Sequence, residues 1–572
     1  MNVLNRSNLP VALIIAATAL IYSTSYQFTY VNYDDPTYLR YILQHASDGF
    51  DLGDLRSLLI DVVNSNWHPV TLASLYIDYF AHKLDPGGIH IHNALIHIIN
   101  VLLVFALGKR LFPDRPLAVI FMTGAFALHP VNVGTVAWIS ERKGLLSAMF
   151  ALISMILYID TRTSPNRLRS ALVLGTFTLS ILSKATSVIL PLIFMLIDWY
   201  LDGGKLIPNN KRMLIRTIKS KGIYFLVALI MGLLTIHAHS LGGALRAMDV
   251  IPLELRIGNF VNSIPSYFRM LIIPAEFAFY YPFELNINLI ETTFSILFVL
   301  GLTLGVFFLR AHRILPFAYL WFFIWLAPLS GIIKSGPHFV ADRYMYIAGL
   351  GIFAAIGYGL DRLAEPGRKK AAAAIVVGVF MLYSASTYSH LQFWRSPIEL
   401  YTHALDVTKE NVHAETNLAQ YYATYGDIER AMKHYRRLRT YARYLYVTYS
   451  MLSETLTAGE HFDAAEEVVN DGLDVYPGNY KLMALKSEIL RATGRLEEAL
   501  ALCKEALKKH PKQAVFAMQI GRIHAEMGNK EKARMAFRHA LALEPDNEII
   551  VDYLSKLDDP VQETSQPTGT SQ

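Results

Sequence analysis

What most constrains this chain is a series of apolar runs that fills residues 1–390 and then stops. A bilayer-spanning helix needs about 20 mostly apolar residues, because hydrocarbon offers no partner to an exposed peptide group. Eleven runs meet that description: 9–28, 92–112, 116–135, 141–160, 168–183, 185–201, 222–240, 291–309, 315–333, 339–360 and 371–389. The fifth and sixth are short and meet at Lys184, so they form either a re-entrant pair or two tight spans. The first reads as a retained anchor rather than a cleaved signal peptide, since no convincing small-residue cleavage site precedes Tyr26. Loop charges set the orientation. With the N-terminus cytoplasmic, five short inside loops hold 18 Lys and Arg residues, against about eleven in the longer outside segments before residue 390. Eleven crossings then place segments 29–91 and 241–290, and everything beyond residue 390, on the outer side.

Composition excludes several classes. At 53% hydrophobic and 17% charged, the chain is neither disordered nor an ordinary soluble protein. A net charge of +5 gives no case for a nucleic-acid partner. The lone Cys503 excludes a disulfide framework and a Cys-rich metal site.

Beyond residue 390 the pattern changes to a repeat. Ala431, Ala465, Ala499 and Ala533 recur every 34 residues, and the same register places Pro477, Pro511 and Pro545 at repeat ends. Gly426, Gly494 and Gly528 mark the turns, with Glu460 as the exception beside Gly459. A 34-residue helix–turn–helix period with small residues at the helix crossing resembles tetratricopeptide repeats. The expected architecture is all-α: a polytopic membrane domain over 1–390, then a tetratricopeptide solenoid over 391–557 with four repeats from 412. The tail 558–572 reads as disordered. Such arrays bind partners on a concave face and perform no chemistry.

Chemistry is therefore expected in the membrane part, on its outer side. Tyr33-Asp34-Asp35-Pro36 follows the first run. One of these carboxylates can take a proton from an attacking hydroxyl while the other orients it or holds a cation. The competing reading is an ordinary helix start. A second cluster holds His68, His90, His92, Asn93, His97 and Asn100; the last three named positions 93, 97 and 100 share one helical face. That face suits a polar cavity first, interhelical hydrogen bonding second and a metal least. Four cations, Arg142, Lys143, Lys184 and Arg343, fall on the outer side against the positive-inside bias, where they suit a phosphate. Local pairing of Arg142 with Glu141 and of Arg343 with Asp342 is the bland alternative.

These motifs, in order, carry a resemblance. They are Asp34-Asp35, Asn66-Trp67-His68-Pro69, His92-Asn93 with His97, Leu128-His129-Pro130-Val131, Val136-Ala137-Trp138 and Arg142-Lys143. They continue with Ser183-Lys184-Ala185, Ile197-Asp198-Trp199, Tyr280-Tyr281-Pro282, Ala341-Asp342-Arg343-Tyr344 and Phe393-Trp394-Arg395 before the repeats. The chain resembles the transmembrane-and-tetratricopeptide-repeat (TMTC-like) proteins, especially their bacterial relatives, over nearly its whole length. The resemblance implies a GT-C-type glycosyltransferase of the inner membrane. Such an enzyme moves a sugar, mannose in the eukaryotic members, from a polyprenyl-phosphate carrier to protein hydroxyls. No resident cofactor is firmly implied. The family's paired acids fall on Asp34 and Asp35, its His-Pro turn on His129 and Pro130, and its Arg-Lys pair on Arg142 and Lys143. The chain departs at Asn132, Gly134 and Gly144, where the family pattern has a histidine and two carboxylates. Those departures put a divalent metal at that turn in doubt.

The expected roles follow. Asp34 or Asp35 is the base; Arg142, Lys143, Lys184 and Arg343 hold the departing phosphate; direct displacement inverts the anomeric carbon. His68, His92, Asn93, His97, His129 and His338 line the cavity. The 241–290 loop, with Tyr280 and Tyr281, receives the acceptor, and the repeats recruit the acceptor protein. Two other classes compete. One is a degenerate enzyme acting as a membrane scaffold, favoured by the missing carboxylates at 134 and 144. The other is a transporter, for which the internal duplication is lacking.

Overall fold

The computed structural model describes residues 8–46, 51–64, 66–204, 221–241, 252–283, 286–332, 340–364 and 367–558. His338, the basic loop 205–220 and the tail beyond 558 lie outside them. Two compact units emerge, Met1–Ala414 and Glu415–Gln572. Both are helical, and among the described residues the single bridge Val63–Asn66 is the extent of β pairing.

In the first unit each of the eleven apolar runs falls on a helix. Helix α1 (Leu9–Ser23) is followed by α2 (Asp35–Ala46), α3 (Leu52–Ile60) and α4 (Pro69–His82), which fold the segment expected as the first outer loop. Those three helices have their own core, with Tyr38, Ile42, Leu58, Leu72 and Leu75 buried together. Helix α5 (Pro86–Leu111) starts earlier than its apolar run because Asp85 accepts from Gly88 N at 2.8 Å and Pro86 opens the first turn.

Helix α6 (Pro116–Leu128) ends at His129-Pro130, where the missing amide of proline breaks the ladder. The chain resumes in α7 (Val133–Ala137), and the two segments meet at a 49° bend. A short turn at Ile139–Glu141 leads into α8 (Arg142–Thr163). The bend keeps residues 129–143 inside the protein, all of them buried. Helix α9 (Arg167–Ser183) and α10 (Leu190–Leu201) follow, joined through Lys184 and a short turn.

Among the described residues, six helices are long and apolar enough to cross a membrane, and the bent pair at 116–137 makes a seventh. Eleven crossings require Arg167–Ser183 and the shorter apolar helices Ala185–Leu201, Gly222–Ala238 and Ile314–Leu329 to span as well. Leu289–Phe308 leaves Leu297, Leu304 and Phe308 uncovered, which suits hydrocarbon and not water. The segment expected as the second outer loop contains Leu253–Ile272, an amphipathic helix.

The repeat region from Val412 follows the 34-residue register closely. First helices begin at Val412, Tyr446, Tyr480 and Ala514, second helices at Ile428, Phe462, Leu496 and Lys530, and a last helix spans Glu548–Asp558. Ala431, Ala465, Ala499 and Ala533 are fully buried, as close helix crossings require. Gly426, Gly494 and Gly528 adopt φ of 77–79°, and Glu460 takes the same left-handed turn at φ 62°. Each repeat packs its core on its neighbours, as in the cluster of Tyr435, Tyr449, Leu452 and Val468.

Candidate active site

The paired acids part company at the start of α2. Asp35 is buried and accepts from Val31 N at 3.0 Å, from Ser140 N at 3.1 Å and from the Ser140 hydroxyl. Burial pushes its carboxyl up to about 6, against the opposing pull of the Ser140 and Val31 bonds. Both of its oxygens are enclosed, so Asp35 anchors the 138–143 turn and is not placed to take a proton from a ligand. Asp34, one residue earlier, keeps part of its carboxylate exposed and faces Lys143 Nζ at 3.6 Å.

The cations divide in the same way. Glu141, Arg142 and Lys143 sit where a short turn becomes α8, and successive residues there fan out by about 100° each. Lys143 points to Asp34 and lies over the rings of Tyr38 and Trp138, 5.5 and 5.8 Å from their centroids. Glu141 turns the other way. It receives Lys184 Nζ at 2.9 and 3.1 Å and faces Arg343 Nε at 3.5 Å. Arg343 also stacks over Trp138, 5.2 Å from the ring centroid. Glu141 thus feels Lys184, Lys143 and Arg343 together. A cavity of about 50 Å³ opens beside it, lined by Gly144, Ser147, Lys184, Ser187 and Arg343 among others.

Arg142 does not join this group, which corrects its expected role. Its guanidinium is only 2% exposed and pairs with Asp78 at 2.9 Å. It also donates to Asn93 Oδ1 and to Ile89 O at 3.0 Å. All its directed bonds run into the protein, away from any ligand. The local pairing with Glu141 is likewise absent from the geometry, while Asp342 Oδ1 accepts from the Arg343 backbone amide at 2.8 Å.

Asn93, His97 and Asn100 do share a buried face, but the face serves to tie helices rather than to line the cavity. Asn93 donates to Val136 O and Trp138 O, both at 3.2 Å; Asn100 donates to Leu145 O at 3.0 Å. His97 bonds the Tyr346 hydroxyl at 2.8 Å. His129 holds the bend, accepting from Val131 N at 3.1 Å while its Nε2 donates to Leu271 O at 3.2 Å. His92 lies against Asp78. None of these five lines the cavity beside Glu141.

His68 does not line that cavity either, but it lies close enough to feel Lys143 and Lys184. It is buried against Tyr38, with ring centroids 5.3 Å apart. Burial, reinforced by Lys143 and Lys184, pushes its imidazole down to about 3, so it is neutral. Tyr280 packs on His413, with centroids 3.9 Å apart, and its carbonyl accepts from Asn411 at 2.9 Å. The Tyr281 hydroxyl accepts from Ala278 N and borders a second cavity of about 200 Å³ with Asn262, Ser263, Arg269 and Glu291.

Sequence reasoning missed the two residues that organise the site. Glu141 is legible only as a local partner, yet a carboxylate directly before two cations in an otherwise apolar stretch is itself the signal. Asp78 lies within the apolar helix α4, and an acid buried there needs a partner.

Tetratricopeptide-repeat family models match residues 451–514 and 490–556. Protein O-mannosyl-transferase TMTC3 of Homo sapiens is 23% identical, the match covering 89% of this chain and 60% of that protein. Protein O-mannosyl-transferase F38B6.6 of Caenorhabditis elegans is 24% identical over 66% of this chain and 54% of its own length. The chain is a homologue of the TMTC proteins. It spans about 60% of the length of the human relative. Among solved structures, ArnT from Cupriavidus metallidurans bound to undecaprenyl phosphate aligns with 89% of this chain and 80% of its own, at 13% identity and a TM-score of 0.34.

The two glycines that depart from the TMTC pattern both abut carboxylates. A Cβ on Gly134 would meet Asp342 Oδ2 at 3.2 Å, and one on Gly144 would meet Glu141 Oε2 at 2.6 Å. The second distance is too short for any side chain to enter without moving Glu141. A side chain at 144 would therefore shift the Glu141 carboxylate from its present pose.

Proposed function

We propose that this chain is a GT-C-type membrane glycosyltransferase moving a sugar, a mannose-like hexose, from a polyprenyl-phosphate carrier to hydroxyls of proteins outside the cytoplasm. One observation carries the reading. Asp34, Glu141, Lys143, Lys184 and Arg343 come from four separated segments: Lys143 faces Asp34, Lys143 and Arg343 lie over Trp138, and Glu141, Lys184 and Arg343 line a small cavity. Three cations, Lys143, Lys184 and Arg343, stand there beside the Asp34 and Glu141 carboxylates, and they are the groups a phosphodiester would bind.

The chemistry divides cleanly among them. The acceptor hydroxyl gives its proton to the Asp34 carboxylate as its oxygen bonds the anomeric carbon. The bond from that carbon to the phosphate oxygen breaks, and its electron pair leaves with the phosphate. Lys143, Lys184 and Arg343 stabilise that developing charge. Trp138 holds two of these cations over its face, which fixes their direction. Attack from the side opposite the phosphate inverts the sugar carbon. His68 stays neutral beside the cations and adds no charge.

The loop around Tyr280 and Tyr281 serves the acceptor, and the repeat array recruits the acceptor protein. This reading places the N-terminus inside and the array outside. The scaffold alternative rested on the missing carboxylates at 134 and 144. Asp342 and Glu141 stand against those positions, which favours a working site. Mass spectrometry of envelope proteins with and without this gene tests the proposal. Hexose-modified Ser or Thr that disappears with the gene supports it, and an unchanged modification pattern refutes it.

A further inference from the structure

We propose that Asp78, His82 and His92, at the turn between α4 and α5, form a binding site for a divalent transition metal of the zinc type. Each residue offers one ligand atom, and the three atoms lie within 4.8 Å of one another. The helix-ending turn at Lys83 and Leu84, both at positive φ, folds α5 back so that His82 and His92 face each other across the hairpin. Their ring centroids are 5.1 Å apart.

Ordinary hydrogen bonding explains only part of the cluster. Asp78 Oδ1 bonds His92 Nδ1, which accounts for that one pair. His82 Nε2 stands 3.9 Å from the same oxygen, too far for a hydrogen bond. Both ring nitrogens of His82 are buried without a hydrogen-bond partner among the described residues. A half-buried imidazole whose two nitrogens are enclosed and idle, aimed at a carboxylate and a second imidazole, lacks a cation rather than a proton. Tetrahedral zinc holds its ligands about 2.0–2.2 Å away, which sets ligand atoms roughly 3.3–3.5 Å apart. To reach that spacing the Asp78–His92 contact opens and His82 Nε2 moves closer to Asp78 from 3.9 Å.

The surroundings fit the same reading. Asp78 presents its other oxygen to Arg142 at 2.9 Å, the kind of outer partner that orients a metal-binding carboxylate. Gly88 on α5 lets the His82 ring lie flat against the helix, since a Cβ there would meet the ring at 2.8 Å. His92 is 36% exposed, leaving a path for the ion and a place for water as fourth ligand. Two imidazoles and one carboxylate select zinc-type ions over magnesium or calcium, which take oxygen ligands. The ion would clasp the α4–α5 hairpin and, through Asp78 and Arg142, steady the 138–143 turn. The inference stands whether or not the chain transfers sugar.

The test uses the full chain in detergent, without a histidine tag, stripped with chelator and dialysed. Titration with Co²⁺ should produce a visible d–d band that saturates at one ion per chain and is displaced by one equivalent of Zn²⁺. His82→Ala and His92→Ala should each weaken binding at least about tenfold. Each histidine is only partly buried, and circular dichroism checks that the helices persist. A wild-type chain that takes up no stoichiometric metal overturns the proposal. So do folded variants that bind Co²⁺ as the wild type does.

Discussion

Replacing Arg142 by Met tests whether this arginine holds the protein or the donor. Its guanidinium is 2% exposed and its partner Asp78 is 1% exposed, so solvent screens the pair very little. Removing one member of such a pair strands a buried charge, which costs about 3–5 kcal/mol. Arg142→Met also leaves Asn93 Oδ1 and Ile89 O without their donor, adding to the loss. On a helical unit of this size the melting temperature should fall on the order of 5–10 °C. Replacing both partners, as in Asp78→Leu/Arg142→Met, removes the stranded charge and should recover most of that loss. The assay is thermal unfolding of the four chains of the cycle in detergent with chelator present. An Arg142→Met chain that melts like the wild type but loses donor-lipid binding would refute the structural role and return Arg142 to the phosphate site.

Other outcomes follow from particular residues. Asp35 carries a folded-state carboxyl raised to about 6 from a usual 3.8, so the folded chain binds that proton more tightly than the unfolded chain. Stability from this group is complete below about pH 4 and is lost as pH rises through 6, by about 3 kcal/mol. Melting curves of the wild type should show the decline, and those of Asp35→Asn should be flatter across that window. Glu460 occupies a left-handed turn that Gly426, Gly494 and Gly528 fill elsewhere, so Glu460→Gly should stabilise the repeat array by about 1 kcal/mol in denaturant titration. A reporter fused after Gln572 should behave as extracytoplasmic and one inserted within 203–220 as cytoplasmic; both on one side would refute the orientation.

The repeats were legible because their constraint is local. A 34-residue spacing of Ala431, Ala465, Ala499 and Ala533 needs no knowledge of the rest of the chain, and the helix starts reproduce it. The apolar runs were legible for the same reason, though bends at His129-Pro130 and Lys184 shorten several of the helices. The site was harder, because its assignments depend on contacts far apart in sequence. Asp34 and Asp35 look equivalent in the sequence; the bonds that Asp35 alone accepts, from Val31 and from Ser140, 105 residues on, distinguish them. Arg142 and Lys143 look like one cationic pair, yet the start of α8 turns one toward Asp78 and the other toward Asp34. Asp78 and His82 drew no notice because a lone acid and a lone histidine in α4 gain meaning only beside His92 and Arg142.

Glycosyl transfer at the Asp34–Lys143–Glu141 cluster is tested most directly with purified chain, a polyprenyl-phosphate sugar and an acceptor protein, comparing wild type with Asp34→Asn. Asp34 lies partly exposed at a loop end, so its loss should leave folding and membrane insertion intact. The transfer rate should fall about 10²–10⁴-fold, the usual contribution of a positioned base. Transfer by Asp34→Asn at the wild-type rate would contradict the account.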